Sequence, residues 1–368
     1  MIPIIVWRNP FPPHEVLAES SPAPGTRYGF MLSDVGLASF SIPRSDPNTT
    51  GVMTTGAMVS IERDDGLFPW VGYVTNRTLN LAGGAVQFTA EDHAGSLFAI
   101  GRTPKTWDAL TLSSGEVVER IFQDAQQRAE PPLNITLDLN IAPPFVTYQP
   151  RAEPLLSFLQ AMKKECNCEW RLIHQIGDEA VTTVLQWYER FGIDRRGQVT
   201  FQQGRNFKDA RLTQSAEGFL RSALAVGGTG VFRDRESVLA GDTTSNEADR
   251  NLQVAEVPAQ RSPALMGTRV LVDSQFSGEE VLQSAARRLL EAQDHVREKI
   301  EMNLVENEID LATLELGSLY GIRFQDFALG LEVNRTIRFT ALSFGDDGVI
   351  QTVATIVRER EEEDLRID

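Results

Sequence analysis

Apolar and polar residues alternate through much of the first hundred positions. Ala38, Phe40 and Ile42 alternate with Ser39 and Ser41, and Pro43 ends the run. Ala57, Val59 and Ile61 alternate with Met58, Ser60 and Glu62; Val86, Phe88 and Ala90 alternate with Gln87, Thr89 and Glu91. A period of two places each set on one face of a strand. Asp64-Asp65-Gly66 and Gly83-Gly84 supply tight turns between such runs, because Asp and Gly tolerate positive φ. Leu67–Val74 is the returning strand, with Pro69 predicting an edge or a bulge. Residues 31–104 therefore read as a small antiparallel β-barrel or sandwich. Ahead of them, residues 1–30 are proline-rich and weakly patterned. They read as an extended arm with few internal contacts, either laid along a neighbouring subunit or free.

The period changes over residues 105–195. Ser113-Ser114-Gly115-Glu116 is a capping box, followed by Val117, Val118, Ile121, Phe122 and Ala125 at helical spacing. Pro154 suits the first position of a second helix carrying Leu155, Leu156, Phe158, Leu159 and Met162. Asn134–Ile141 predicts a strand, and Cys168–Ile176 with Ala180–Tyr188 predicts a hairpin across Gly177-Asp178. This stretch reads as an α/β domain.

Strand signals return in residues 196–360, at Gln198–Phe201, Asp209–Thr213, Phe219–Val226, Gly267–Val272, Leu319–Phe324, Glu332–Ser343 and Val349–Glu359. Between them, Gly241–Asp249 reads as a polar surface loop. A long amphipathic helix, residues 278–303, is expected after a second capping box, Ser277-Gly278-Glu279-Glu280. Leu282, Ala285, Ala286, Leu289, Leu290, Val296 and Ile300 form its apolar stripe. Arg287, Arg288, Glu291, Asp294, Arg297 and Glu298 fill most of the other face. Residues 361–368 read as a charged, solvated tail.

Composition narrows the function classes. A net charge of −16 repels nucleic-acid phosphates, which disfavours stable DNA binding but suits a wall past which DNA slides. No apolar run approaches the roughly 20 residues of a membrane helix. The apolar start, Met1–Trp7, lacks the basic region and cleavage site of a signal peptide and reads as a strand or a docking arm. Cys166 and Cys168 are the only cysteines, and they read as free thiols at a helix-to-strand junction.

No motif for catalysis stands out. Gly227-Gly228-Thr229-Gly230 lacks the lysine of a phosphate loop and reads as a turn. The four histidines, His14, His93, His174 and His295, form no metal-binding pair at helical spacing. Glu91-Asp92-His93 reads as an exposed strand end, and His295 as a solvated helix residue. There is no G-x-S-x-G elbow. No carboxylate pair sits in an apolar setting that would raise one pKa. The expectation is a non-enzyme with no cofactor and no metal.

The order β, α/β, then β with an inserted helix resembles the hub proteins of bacteriophage tail tips and baseplates, and the hub half of the type VI secretion spike. Met58–Glu62, the Asp64-Asp65-Gly66 turn and Trp70-Val71-Gly72-Tyr73-Val74 resemble that family's first barrel. Val199–Asn206 and Leu224–Gly230 resemble its second. Gly317-Ser318 stands where the family often has Gly-Asp, which leaves that turn open. The resemblance implies an α+β, β-rich fold: two tail-tube-like barrels separated by an α/β domain, with a helix inserted in the second. It implies a homotrimer that adapts a sixfold tail tube to a threefold tip and lines the DNA-exit channel. The expected partners are a tube or distal tail protein on one side and a separate spike or fibre on the other, with the tape-measure protein within reach. The expected location is the virion, after synthesis in the host cytoplasm. On this reading Glu280, Arg287, Arg288 and Glu291 are candidate subunit contacts. The alternatives are a receptor- or carbohydrate-binding tail protein, using Trp70, Tyr73 and Trp107, and a cell-wall hydrolase.

Overall fold

The computed structural model describes residues 3–11, 14–50, 53–63, 65–79, 84–104, 110–129, 133, 135–140, 145–148, 151–166, 168–177, 181–215, 220–227, 252–256, 267–273, 297–326 and 331–357. They fall in two compact units: Met1–Arg211 with Ile300–Asp368, and Leu212–Lys299.

The first unit begins with seven strands: β1 (Ile4–Arg8), β2 (Val16–Ser20), β3 (Ala23–Met31), β4 (Leu37–Pro43), β5 (Met58–Glu62), β6 (Trp70–Leu79) and β7 (Ala85–Glu91). In β4 and β7 the alternation holds, with Phe40, Ile42, Val86 and Phe88 buried. β5 is buried on both faces, so Met58 and Ser60 are also covered. The arm expected at residues 1–30 is instead part of the sheet. β1 lies between β2 and β5, and Ile5 and Trp7 are fully buried. The cause is local: Ile4-Ile5-Val6-Trp7 is an apolar strand, and Pro10, Pro12 and Pro13 fall in the connection to β2.

A short helix, α1 (Leu97–Ile100), leads into β8 (Leu110–Ser113), α2 (Ser114–Arg128), β9 (Ile135–Leu139), β10 (Phe145–Tyr148), α3 (Leu155–Cys166), β11 (Glu169–Ile176) and β12 (Val181–Tyr188). The predicted capping box is present on α2. The Ser113 hydroxyl accepts from the Glu116 backbone N–H, and the Glu116 carboxylate accepts from the Ser113 N–H at 2.9 Å. The expected hairpin is β11–β12, and β9 adds to it in parallel. Phe98, Phe122, Phe158, Trp170 and Trp187 build a core of their own here.

The chain then forms β13 (Thr200–Gln202) and leaves the unit along β14 (Phe207–Ser215). The second unit holds β15 (Leu220–Gly227), β16 (Leu252–Glu256) and β17 (Gly267–Asp273), with β15 central, antiparallel to β16 and parallel to β17. β18 (Arg297–Val305) returns to the first unit, which ends in β19 (Leu319–Asp326), β20 (Leu331–Gly345) and β21 (Val349–Val357). Residues 297–303, expected as the end of the long helix, are strand. Ile300, Met302 and Leu304 point into the core while Glu301 and Asn303 do not, a period of two rather than 3.6. Residues 278–296 of that helix, the Gly241–Asp249 loop, Trp107 and the tail at 361–368 lie outside the described residues.

The two β regions form one sheet. Its thirteen strands run β14-β18-β21-β20-β3-β4-β7-β6-β5-β1-β2, with β19 on β20 and β13 on β19. Among the described residues this path stays open at β2 and β14. β20 is the seam. Its first part pairs with β19 up to Arg338, a bulge follows at Phe339–Ala341, and from Ala341 the strand pairs with β3. The principal core runs along both sides of this seam, from Trp7, Phe40 and Phe88 to Phe201, Tyr320 and Phe339.

Candidate assembly surface

Three polar clusters in the first unit fix how its parts meet. The first joins the turn after β5 to the end of β18. Arg63 donates to Glu306 Oε1 at 2.5 Å and to Asp65 Oδ2 at 2.8 Å, and Arg63 and Glu306 are both buried. Its guanidinium lies 5.6 Å from the centre of the Phe344 ring. Burial pushes the neighbouring Tyr28 hydroxyl up to about 12.

The second cluster ties the α/β layer to the seam. Arg338 makes a bidentate pair with Glu169, both contacts at 2.5 Å, and also donates to the carbonyls of Gly317 at 2.7 Å and Phe191 at 3.0 Å. Gly192 and Gly317 lie back to back at φ +93° and +87°, so close that a Cβ on Gly192 would sit 2.2 Å from the Gly317 carbonyl carbon. This is the turn that Gly317-Ser318 left open in the sequence. Ser318 closes it, its hydroxyl donating to Glu315 and accepting from the Ile193 N–H, each at 3.0 Å.

The third is a group of imidazoles. His93 follows β7, and its ring lies 5.7 Å from that of His174 on β11. The Thr183 hydroxyl sits 3.2 Å from His174 Nδ1 and 3.3 Å from His93 Nε2. Tyr73 meets His93 edge-on at 5.5 Å. Asp92 is buried beside them. Its carboxylate accepts from the backbone N–H of Gly36 at 2.7 Å, Ala94 at 2.9 Å and Gly95 at 3.2 Å. Burial nevertheless pushes it up to about 7. The expectation that Glu91-Asp92-His93 is an exposed strand end is therefore corrected: Asp92 and His93 are interior. A polar triplet ending a strand gives no sign that another sheet covers it.

Among the described residues no group of His, Cys, Asp or Glu is placed to hold a metal ion. Cys166 and Cys168 are buried thiols at the expected junction, with the Cys168 sulfur 3.6 Å from the Ser114 hydroxyl. Trp70 is fully buried, which removes it from the sugar-stacking alternative, and Tyr73 packs on His93. Glu280, Arg287, Arg288 and Glu291 lie outside the described residues.

The features left for contact with other molecules are on the surface. β2 ends the sheet on one side with Val16 and Leu17 exposed, and Ile4 and Phe11 are exposed nearby in sequence. β14 ends it on the other side, exposed on both faces from Asp209 to Thr213. Open edges present unpaired backbone donors and acceptors. Sequence alternation does not mark which strand of a sheet will be outermost.

No family model matches the chain, and no curated protein matches it. Solved structures do share its fold along its length. The 43 kDa tail protein of prophage MuSo2 from Shewanella oneidensis aligns with a TM-score of 0.61 at 10% identity, covering 97% of this chain and 98% of that one. Prophage tail protein gp18 from Listeria monocytogenes gives 0.58 at 11% identity, covering 99% and 97%. A tail protein from Neisseria meningitidis gives 0.58 at 12%, covering 98% and 97%. The chain therefore has the fold of these phage tail proteins, with little sequence in common.

Proposed function

We propose that this protein is a structural component of a phage tail, the hub of its tip or baseplate, carried in the virion. The observation that carries the reading is the end-to-end likeness to prophage tail proteins, which covers nearly all of both chains. In this reading three copies close a ring, and the two β regions flanking the α/β layer act as two tube-like lobes per copy. Six lobes then meet a sixfold tube while the ring presents threefold symmetry to a separate spike or fibre. A heterologous ring needs two different surfaces on each copy, and the reading is supported by a sheet that, among the described residues, ends at two unlike strands. The formal charge of −16 suits a channel that DNA crosses without stable binding. The charged face expected at Glu280, Arg287, Arg288 and Glu291 is proposed as a further subunit contact. The chemistry is geometric, with no catalytic step.

Electron cryomicroscopy of the particle carrying this chain tests the proposal. The expected result is a ring of three copies on the tail axis, between tube and tip. Density for the chain only in peripheral fibres, or none in the particle, refutes it.

A further inference from the structure

Three of the four histidines, His14, His93 and His174, are buried in the first unit although they are far apart in the sequence. They come from three elements: the β1–β2 connection, the turn after β7, and β11. Among the described residues neither His93 nor His174 hydrogen-bonds a carboxylate; their polar partner is the neutral Thr183 hydroxyl. His14 is held by the Asn9 carbonyl at 3.0 Å, and Arg8 donates to its own carbonyl at 3.4 Å. The charged and titratable groups facing the rings are thus one another, Tyr73, Arg8 beside His14, and Asp92, whose carboxylate is turned onto Gly36, Ala94 and Gly95. A proton on either ring of the pair faces a second imidazole, and among the described residues no carboxylate accepts a hydrogen bond from it.

Among the described residues the apolar group beside the cluster is small: Met58, Val71 and Val181 are buried in it, with Tyr73 and Ile176 packed against them. The other end of β11 is pinned far more firmly. Glu169 pairs with Arg338, and the Trp170 carbonyl accepts from the Ser33 backbone N–H at 2.7 Å while the Trp170 N–H donates to the Ser33 hydroxyl at 3.0 Å.

We propose that the histidine cluster is a proton-sensitive clasp: acidification releases the Ile176–Val181 end of the β11–β12 hairpin from β5–β7, while the Glu169–Arg338 end acts as the hinge. Local opening of this kind draws on the least stable contacts of a fold. The sign follows from burial, which lowers all three histidines from 6.5, His174 to about 3. The closed form excludes protons that the open form binds, so the clasp is fully closed above the ordinary histidine pKa and weakens as pH falls below it. The backbone partners of Asp92, Gly36, Ala94 and Gly95, all lie outside the hairpin.

Hydrogen exchange of the full chain across pH, corrected for intrinsic rates, tests this. Opening that protonates His93 and His174 should cost the amides at 173–176 and 181–184 protection with a slope that approaches a hundredfold per pH unit once the pH is about one unit below the ordinary histidine pKa. Amides at 169–171 should hold. His93→Gln and His174→Gln should each reduce the dependence to about tenfold per unit. Equal loss along the whole hairpin, or an unchanged pH dependence in the variants, overturns the proposal. Should a variant not fold, the wild-type imidazole NMR signals decide. Rings that stay neutral until the amides lose protection support the clasp, and an ordinary titration of His93 or His174 in the closed protein ends it.

Discussion

Removing the Glu306 charge is a sharp test of how the first unit is held together. Glu306 follows β18, Arg63 follows β5, and they lie 243 residues apart in the chain. Their side chains are 7% and 4% exposed. Glu306→Gln keeps the shape and one acceptor but removes the buried carboxylate that faces the guanidinium, with Asp65 still beside it. Breaking a buried pair in this way costs about 3–5 kcal/mol, because a charge is left uncompensated. Asp65 is better exposed and retains a bond of 2.8 Å, which places the cost at the lower end. Replacing both residues by apolar ones, Arg63→Met with Glu306→Leu, should cost less than Glu306→Gln alone, since no charge then remains stranded. Denaturant unfolding of the wild type and these two variants measures this as a shift in midpoint at constant slope. A loss below about 1 kcal/mol for Glu306→Gln, in the range of exposed pairs, would refute the claim that this contact is dry.

Three further outcomes are expected. Gly317→Ala should destabilise by at least about 1–3 kcal/mol, through its positive φ and the crowding against Phe191, and the same unfolding assay checks it. Ser113→Ala should cost about 1 kcal/mol by removing the cap of α2, while Ser113→Thr should cost less; thermal melts followed by circular dichroism separate them. Arg338→Met should cost about 3–5 kcal/mol by stranding the half-buried Glu169, and should raise proteolytic cleavage around residues 189–195 before the rest of the unit opens.

Sequence patterns revealed local structure well. The hairpin of β11 and β12, the box on α2 and the alternation in β4 and β7 depend on neighbours in the chain, and each was legible. What was hidden depends on distant partners. The proline-rich start reads as an arm because prolines flank it, yet Ile5 and Trp7 bury themselves against a strand more than 50 residues later. The bulge in β20 leaves no mark in the sequence, although it lets β3 join the two β regions. His93 and His174 meet only because two sheets stack, and neither carries a local sign of the other. Residues 297–303 misled for another reason: a helical stripe at 282–290 continues in phase with Val296 and Ile300, and the switch to a period of two shows only when Met302 and Leu304 are weighed with them.

The seam also sets an order of events during synthesis. Arg27 meets Asp347 across 320 residues, so β3 leaves the ribosome long before its partner β20 exists. Through that interval β3 has β4 on one side and a bare, partly apolar edge on the other. Long-range pairing of this kind is slow, and waiting edges invite wrong partners. A nascent chain of this design gains from anything that shields Ala23–Met31 until the last strands arrive. Truncations that end before β20 should be prone to aggregate even though most of the sheet's strands are already present.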